Sequence, residues 1–143
     1  MTPYLLDVNV LLTLNWSDLQ HYSKVKRWFV QTGQHSFATC PITQAGFARI
    51  SSSARPLPNP ATLPRALEIL AELTQMPGHI FWSMGSPLRE ATDFCANKLS
   101  GPGQLTDAYL LGLAIAKGGT LVTLDRGILH LAGTAYAKHI LLL

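Results

Sequence analysis

Apolar residues along this chain fall into short runs and helical stripes that alternate. Tyr4-Leu5-Leu6 reads as a strand entering a core, and Val8 to Leu14 as a short apolar helix or loop leaving it. Ser17-Asp18-Leu19-Gln20 has the form of a capping box. It precedes a helix with Tyr22, Val25 and Phe29 on one face, Lys24, Lys26 and Arg27 over much of the rest, and Gly33 as the stop. Ser36 to Thr39 is a short second strand, after which Pro41 or Thr43 opens a helix through Ala45, Phe47, Ala48 and Ile50. The Ser- and Pro-rich stretch from Ser51 to Pro60, with Arg55, is a loop. Thr62 then caps a helix that tolerates Pro64 in its first turn. Leu63, Ala66, Leu67, Leu70 and Leu73 form its apolar stripe, with Arg65, Glu68, Glu72 and Gln75 facing outward and Pro77-Gly78 ending it. His79 to Trp82 is a third strand, Pro87 to Asn97 a short helix, and Ser100 to Gly103 a turn. Leu105 to Lys117 is apolar on nearly every face, which predicts a buried central helix closed by Gly118-Gly119. Thr120 to Leu124 and His139 to Leu143 are the remaining strands. Strands alternating with helices predict an α/β fold, a central parallel β-sheet flanked by helices on both faces. Nothing divides residues 1–143, so one domain is expected.

Asp7 breaks the first apolar run. A carboxylate in such a place is costly to bury unless it is paired, hydrogen-bonded or bound to a metal. It stands at the carboxyl end of the first predicted strand, the edge where open α/β sheets bind ligands. An Asp that merely caps the next helix is the competing reading, and Asp7 alone does not separate the two.

Composition narrows the class. Of the 143 residues 48% are hydrophobic and 13% charged, which excludes a disordered chain. No apolar run approaches the roughly 18 residues of a membrane span. The N-terminal run lacks a basic lead and carries Asp7, so no signal peptide is read and a cytoplasmic setting is expected. Cys40 and Cys95 are too few for a disulfide scaffold and are read as small buried hydrophobes. The net charge is +3, a mild pointer to a polyanionic partner. Its distribution says more. If Asp7, Asp107 and Asp125 line one site, the rest of the chain sets eleven basic residues against five acids, or +6. A basic body around an acidic pocket suits an enzyme that holds a nucleic-acid backbone and cuts it with metal ions.

Those three acids share a context. Asp7 follows the first strand, Asp125 follows the Leu121–Leu124 strand, and Asp107 opens the buried helix after the Gly101–Gly103 turn. Parallel strands bring Asp7 and Asp125 to one edge, and a helix N-terminus facing that edge adds Asp107. Three converging carboxylates repel unless a cation lies between them. Mg2+ or Mn2+ fits an all-oxygen set and would activate water for displacement at phosphorus.

Leu6-Asp7-Val8-Asn9-Val10-Leu11-Leu12, Leu105-Thr106-Asp107-Ala108-Tyr109-Leu110 and Leu121-Val122-Thr123-Leu124-Asp125-Arg126 carry a resemblance, in wording and order, to the PIN-domain ribonucleases, specifically VapC-type toxins of bacterial toxin–antitoxin pairs. Cys40-Pro41-Ile42-Thr43, Phe47-Ala48-Arg49-Ile50 and Gly78-His79-Ile80-Phe81-Trp82 add weaker support, and the resemblance spans essentially the whole chain. It implies a metal-dependent endoribonuclease with an RNA substrate, a homodimer, and a cognate antitoxin that blocks the site. It also implies that Asp7, Asp107 and Asp125 hold the metal, with Asn9 and Thr123 as supporting polar residues. One position departs from the pattern. The family usually has Glu directly after the Thr of the third motif; here Thr43 is followed by Gln44. An amide offers one carbonyl oxygen and no charge. Three readings stay open: one firmly held metal, a substitute acid such as Asp93 or Glu90, or a weakened or inactive member that binds RNA or antitoxin without cutting.

Other features rank lower. Gly101-Pro102-Gly103 lacks the third glycine and preceding strand of a nucleotide loop. The five histidines show no ligand spacing, and a structural role is the better reading for them. Trp28 and Trp82 sit in core-like patterns, which leaves Trp16, just beyond Asp7, as the candidate to stack on RNA. Arg126 is a candidate for a scissile phosphate, with a plain surface ion pair as its alternative. A phosphoacceptor receiver domain would need an early acidic pair and a Lys directly after the Leu121–Leu124 strand, and the chain has neither.

Overall fold

Short strands alternate with helices, so every crossover is long enough for parallel pairing. The computed structural model describes residues 2–55 and 57–143. In chain order the elements are β1 (Tyr4–Leu6), α1 (Val8–Asn15), α2 (Tyr22–Gln31), β2 (Phe37–Thr39), α3 (Pro41–Ser51), α4 (Leu63–Thr74), β3 (His79–Phe81), α5 (Leu88–Thr92), α6 (Leu105–Ala116), β4 (Thr120–Thr123), α7 (Ile128–Tyr136) and β5 (Ile140–Leu142). The sheet is parallel throughout, in the order β3-β2-β1-β4-β5. No described helix is long and apolar enough to cross a membrane.

Register sorts the side chains. Leu5 pairs with Ala38 and Leu121, while Leu6 pairs with Val122. Because strand side chains alternate, Leu5, Ala38 and Leu121 face one layer, built on α6 and α7. Leu6, Phe37 and Val122 face the other, built on α1 to α4. As expected, α6 is a central helix, buried continuously from Ala108 to Ala114. Cys40 and Cys95 are free and buried, matching their reading as small hydrophobes.

Four local expectations need correction. Ser17–Gln20 forms turns, not a cap, because the chain doubles back there: Leu19 N–H bonds the Trp16 carbonyl and Tyr22 N–H bonds the Leu19 carbonyl. The helix starts at Tyr22 behind His21, which is left-handed at φ 71 and makes no side-chain cap bond. The α4 stripe is narrower than its spacing suggests. Ala66, Leu70 and Leu73 are buried, but Leu63 and Leu67 are half exposed, since α4 meets the core along one edge. The Pro87–Asn97 helix breaks at Thr92 into a tighter 3-10 segment with a non-helical Cys95. Finally, Ile128–Tyr136 is helical although no element was read there, with Gly133 at φ 58 kinking it. The loop read from Ser51 to Pro60 begins one residue later, since Ser51 ends α3, and Pro56 lies outside the described residues.

Gly46 fixes how α3 meets α1. A Cβ at Gly46 would lie 2.6 Å from Cγ2 of Val8, the residue after Asp7. Gly to Ala in an open helix gains up to about 1 kcal/mol. Here the β-branched Val8 cannot swing away, so the sign reverses. Gly46→Ala is expected to destabilise by about 1–3 kcal/mol, read as a lower melting temperature, and Val8→Ala in the same chain is expected to restore most of it.

Candidate metal and nucleic-acid site

The site begins with the β1–β4 register. Since Leu6 pairs with Val122, the next residues, Asp7 and Thr123, stand side by side and turn to the α6 layer. The Asp7 N–H continues the ladder to the Val122 carbonyl at 3.0 Å. Thr123 Oγ1 donates to Asp7 Oδ2 at 2.7 Å. The other carboxylate oxygen accepts the Val8 N–H at 2.7 Å, so Asp7 also caps α1. The two readings of Asp7 are therefore compatible: one oxygen caps, and the carboxylate still faces the other acids.

Thr123 Oγ1 in turn accepts from Asn9 Nδ2 at 3.3 Å and from the Asp125 N–H at 3.1 Å. Asn9 Oδ1 accepts the Leu124 N–H at 3.2 Å. Asn9 and Thr123 thus tie the start of α1 to the end of β4 and hold Asp7 in one orientation. Asp125 closes its own turn, with Oδ1 accepting the Gly127 N–H at 2.9 Å. Asp107 stands in the first turn of α6.

Burial is graded. Asp7 is 6% exposed, Asp107 is intermediate, and Asp125 is exposed. Asp125 differs from the other two in that its turn lies on the surface. Burial raises the Asp7 pKa against the Thr123 and Val8 hydrogen bonds, with the Asp125 charge adding to the rise. Asp107 is pushed up to about 6, first by burial, then by the charges of Asp7 and Asp125. Among the described residues the ion pairs are those of Arg65 with Glu68 and Glu72, far out on α4, so no basic side chain neutralises the three carboxylates. Asp93 and Glu90, the substitutes considered for the missing Glu, are exposed and do not enter this field.

A hard divalent cation fits this donor set in kind: only oxygens, mutual repulsion, and no competing cation. Among the described residues no three Asp, Glu, His or Cys side chains already stand close enough to grip one ion. The carboxylates would have to draw together around it. A cavity of about 200 Å³ between α5 and α6, lined by Phe94, Tyr109 and Gly112 among others, does not include the three acids.

Gln44 lies in the first turns of α3, which starts directly after β2 because Thr43 Oγ1 folds back onto the Cys40 N–H at 2.9 Å. Its amide Nε2 donates to Thr39 Oγ1 at 2.9 Å. Arg126 is exposed beside Asp125. Trp16 is half-buried against the α1–α4 core, and its indole N–H donates to Ser51 Oγ at 3.1 Å. The residues missed by sequence reasoning are Thr39 and His79, which bond each other at 2.7 Å beneath Gln44. Only the strand register brings them together.

The PIN domain model matches residues 4–134. Ribonuclease VapC39 of Mycobacterium tuberculosis is 39% identical over 124 residues, covering 87% of this chain and 89% of the relative. In fold, the chain is similar to the crystal structure of FitAcB from Neisseria gonorrhoeae, at TM-score 0.60, 18% identity, and 90% and 92% coverage of the two chains. It is also similar to that of VapBC2 from Rickettsia felis bound to a DNA fragment from their promoter, at TM-score 0.57, 15% identity, and 86% and 87% coverage. Matched along nearly its whole length, this chain with its five-stranded parallel sheet belongs to the PIN-domain family, among its VapC members.

Proposed function

We propose that this protein is a metal-dependent endoribonuclease, the toxin of a toxin–antitoxin pair. The observation that carries the reading is the trio of mutually repelling carboxylates without a basic partner among the described residues, in a chain whose VapC relatives are named ribonucleases. Asp7, Asp107 and Asp125 would hold Mg2+ or Mn2+. Such an ion supplies a nucleophilic water and neutralises charge at the phosphorus. Asn9 and Thr123 keep Asp7 aimed, and a proton on Asp107 must leave for the ion to bind. Exposed Arg126 is available to a phosphate of the RNA backbone. Trp16 is a poorer candidate for base stacking than its sequence position suggests, since its ring packs on the core.

The partners we propose are RNA, a second copy of the chain, and an antitoxin that covers the acidic surface, in a cytoplasmic setting. Exposed Val30, Leu63, Leu67 and Phe81 are apolar surface that such partners would cover. Light scattering at micromolar concentration is expected to give a dimer, and pull-down from the native host a small antitoxin; a monomer without either partner would count against this part.

The alternative is a binding module, and Gln44 favours it. Gln44→Glu decides between them. It adds a carboxylate at the rim of the site and is expected to lower the Mn2+ concentration for half-maximal RNA cleavage. An unchanged Mn2+ requirement with activity present means that one metal suffices. No metal-dependent cleavage by wild type or Gln44→Glu, across a broad RNA panel, leaves the binding module.

A further inference from the structure

A basic stripe starts beside Asp125 and follows α7. Arg126 comes directly after Asp125, and the backbone turns helically from there: the Leu129 N–H bonds the Arg126 carbonyl at 3.2 Å, and the His130 N–H bonds the Gly127 carbonyl at 3.2 Å. Ile128, Leu131 and Ala132 are buried and hold α7 on the α6 layer. Arg126, His130 and Gly133, spaced by four and three, fall on the opposite side of the helix. Arg126 and His130 are exposed. At Gly133 the stripe gains a cation from another element. A Cβ there would lie 2.5 Å from Nζ of Lys98, so the ammonium rests against the glycine. Lys98 ends the 3-10 segment that follows α5, is half-buried, and has no ion pair among the described residues. No acidic residue occurs in α7. Because β5 lies parallel beside β4, α7 begins at the carboxyl edge of the sheet and runs away from it. The stripe therefore leads away from Asp125 over about 10 Å, at about 1.5 Å per residue.

We infer that Arg126, His130 and Lys98 form a track for the RNA backbone, leading from the carboxylates along the outer face of α7. The inference rests on the ribonuclease reading above and deepens it, because it says on which side of the three acids the strand lies. A polyanion is repelled by a cluster of carboxylates, so a strand held there needs cations beside them. Arg126 supplies a planar fork for the phosphate nearest the acids, His130 a ring N–H, and Lys98 a point charge at the far end. Gly133 serves the track in two ways. Its φ of 58 breaks the helix, and its bare Cα leaves room for the ammonium. A side chain at that position would push Lys98 off the stripe. The competing role for Lys98 is purely structural, a cation set against the carbonyls at a helix break. That role asks nothing of Arg126 and leaves RNA affinity untouched.

Salt-dependent binding of a labelled single-stranded oligouridylate about 12 nucleotides long, with EDTA present to prevent cleavage, tests the inference. The slope of log affinity against log salt is expected to flatten by about 0.7 in Arg126→Gln, by about 0.7 in Lys98→Gln and by about 1.4 in the double variant. Lys98→Arg keeps the charge and is expected to keep the wild-type slope. Arg65→Gln, far out on α4, is expected to leave the slope unchanged. If Lys98→Gln does not fold, Lys98→Met removes the charge and retains an apolar stem. A Lys98 variant that melts lower but keeps the wild-type slope would reduce Lys98 to its structural role and overturn the inference. A slope that falls equally in Arg65→Gln would overturn it too, since charge would then count without regard to place. No RNA binding by wild type, with EDTA or with Mn2+, would instead overturn the ribonuclease reading, so the two failures are distinct.

Discussion

Asp7→Asn is expected to lower metal-dependent RNA cleavage by on the order of 10²–10³-fold, the range for removing one preorganised electrostatic contact. The substitution keeps the side chain's size and removes a charge where, among the described residues, three carboxylates have no basic partner. It also disturbs a hydrogen bond. Thr123 Oγ1 gives its proton to Asp7 Oδ2 and already accepts from Asn9 and the Asp125 N–H. An Asn whose oxygen caps Val8 would turn its NH2 to that hydroxyl and leave the proton without an acceptor. Melting curves must therefore accompany the rates. A folded Asp7→Asn protein is expected to show a raised Mn2+ requirement as well as a lower rate. Wild-type cleavage at an unchanged Mn2+ requirement would remove Asp7 from the metal site.

Asp107 provides the second large effect, through pH. Its folded pKa is pushed up to about 6, above the ordinary aspartate value of about 3.9. Between those values the folded state binds more protons than the unfolded one, so stability falls as pH rises through the window and the penalty stays constant above it. The buried Asp7 is shifted in the same direction and adds to the trend. Because Asp107 is partly exposed, solvent screening reduces its share to about 1 kcal/mol, or about 3 °C in melting temperature. Metal-free protein is expected to melt higher at pH 5 than at pH 7. Asp107→Asn should raise the pH 7 value and flatten the slope. Saturating Mn2+ should stabilise wild type at pH 7 far more than Asp107→Asn. A wild-type melting temperature that rises from pH 5 to 7 without metal, or equal Mn2+ stabilisation of both proteins, would contradict the clustered-carboxylate model.

The strands and the buried helix were legible in the sequence because each depends on its own residues. Leu105 to Ala116 is apolar on all faces, and such a helix has no stable place except inside. Thr62 caps α4 through the Arg65 N–H at 3.2 Å, as its position before Pro64 suggests. The failures are also local in origin. Ser17 to Gln20 carries the letters of a capping box, but the turns from Trp16 to Tyr22 use the backbone groups a cap would need. The helix from Ile128 was overlooked because Gly133 interrupts its period with a left-handed residue. The spacing of Leu63 and Leu67 reports only that they share a face with Leu70, not how far the core reaches along it.

By itself, then, the sequence determined the alternating α/β order, the parallel sheet that this order requires, and the placement of Asp7, Asp107 and Asp125 at element ends where strands and a helix begin or stop. These follow from hydrophobic period and chain order. The tertiary structure alone decided the rest. The Leu6–Val122 register set Thr123 beside Asp7. The packing of α6 and the open turn at Gly127 graded the burial of the three acids, and burial is the leading cause of the raised pKa of Asp7 and of Asp107. The β2–β3 pairing joined Thr39 to His79, 40 residues apart. No local pattern encodes these, because each is a contact between side chains whose meeting depends on where other strands have already been laid.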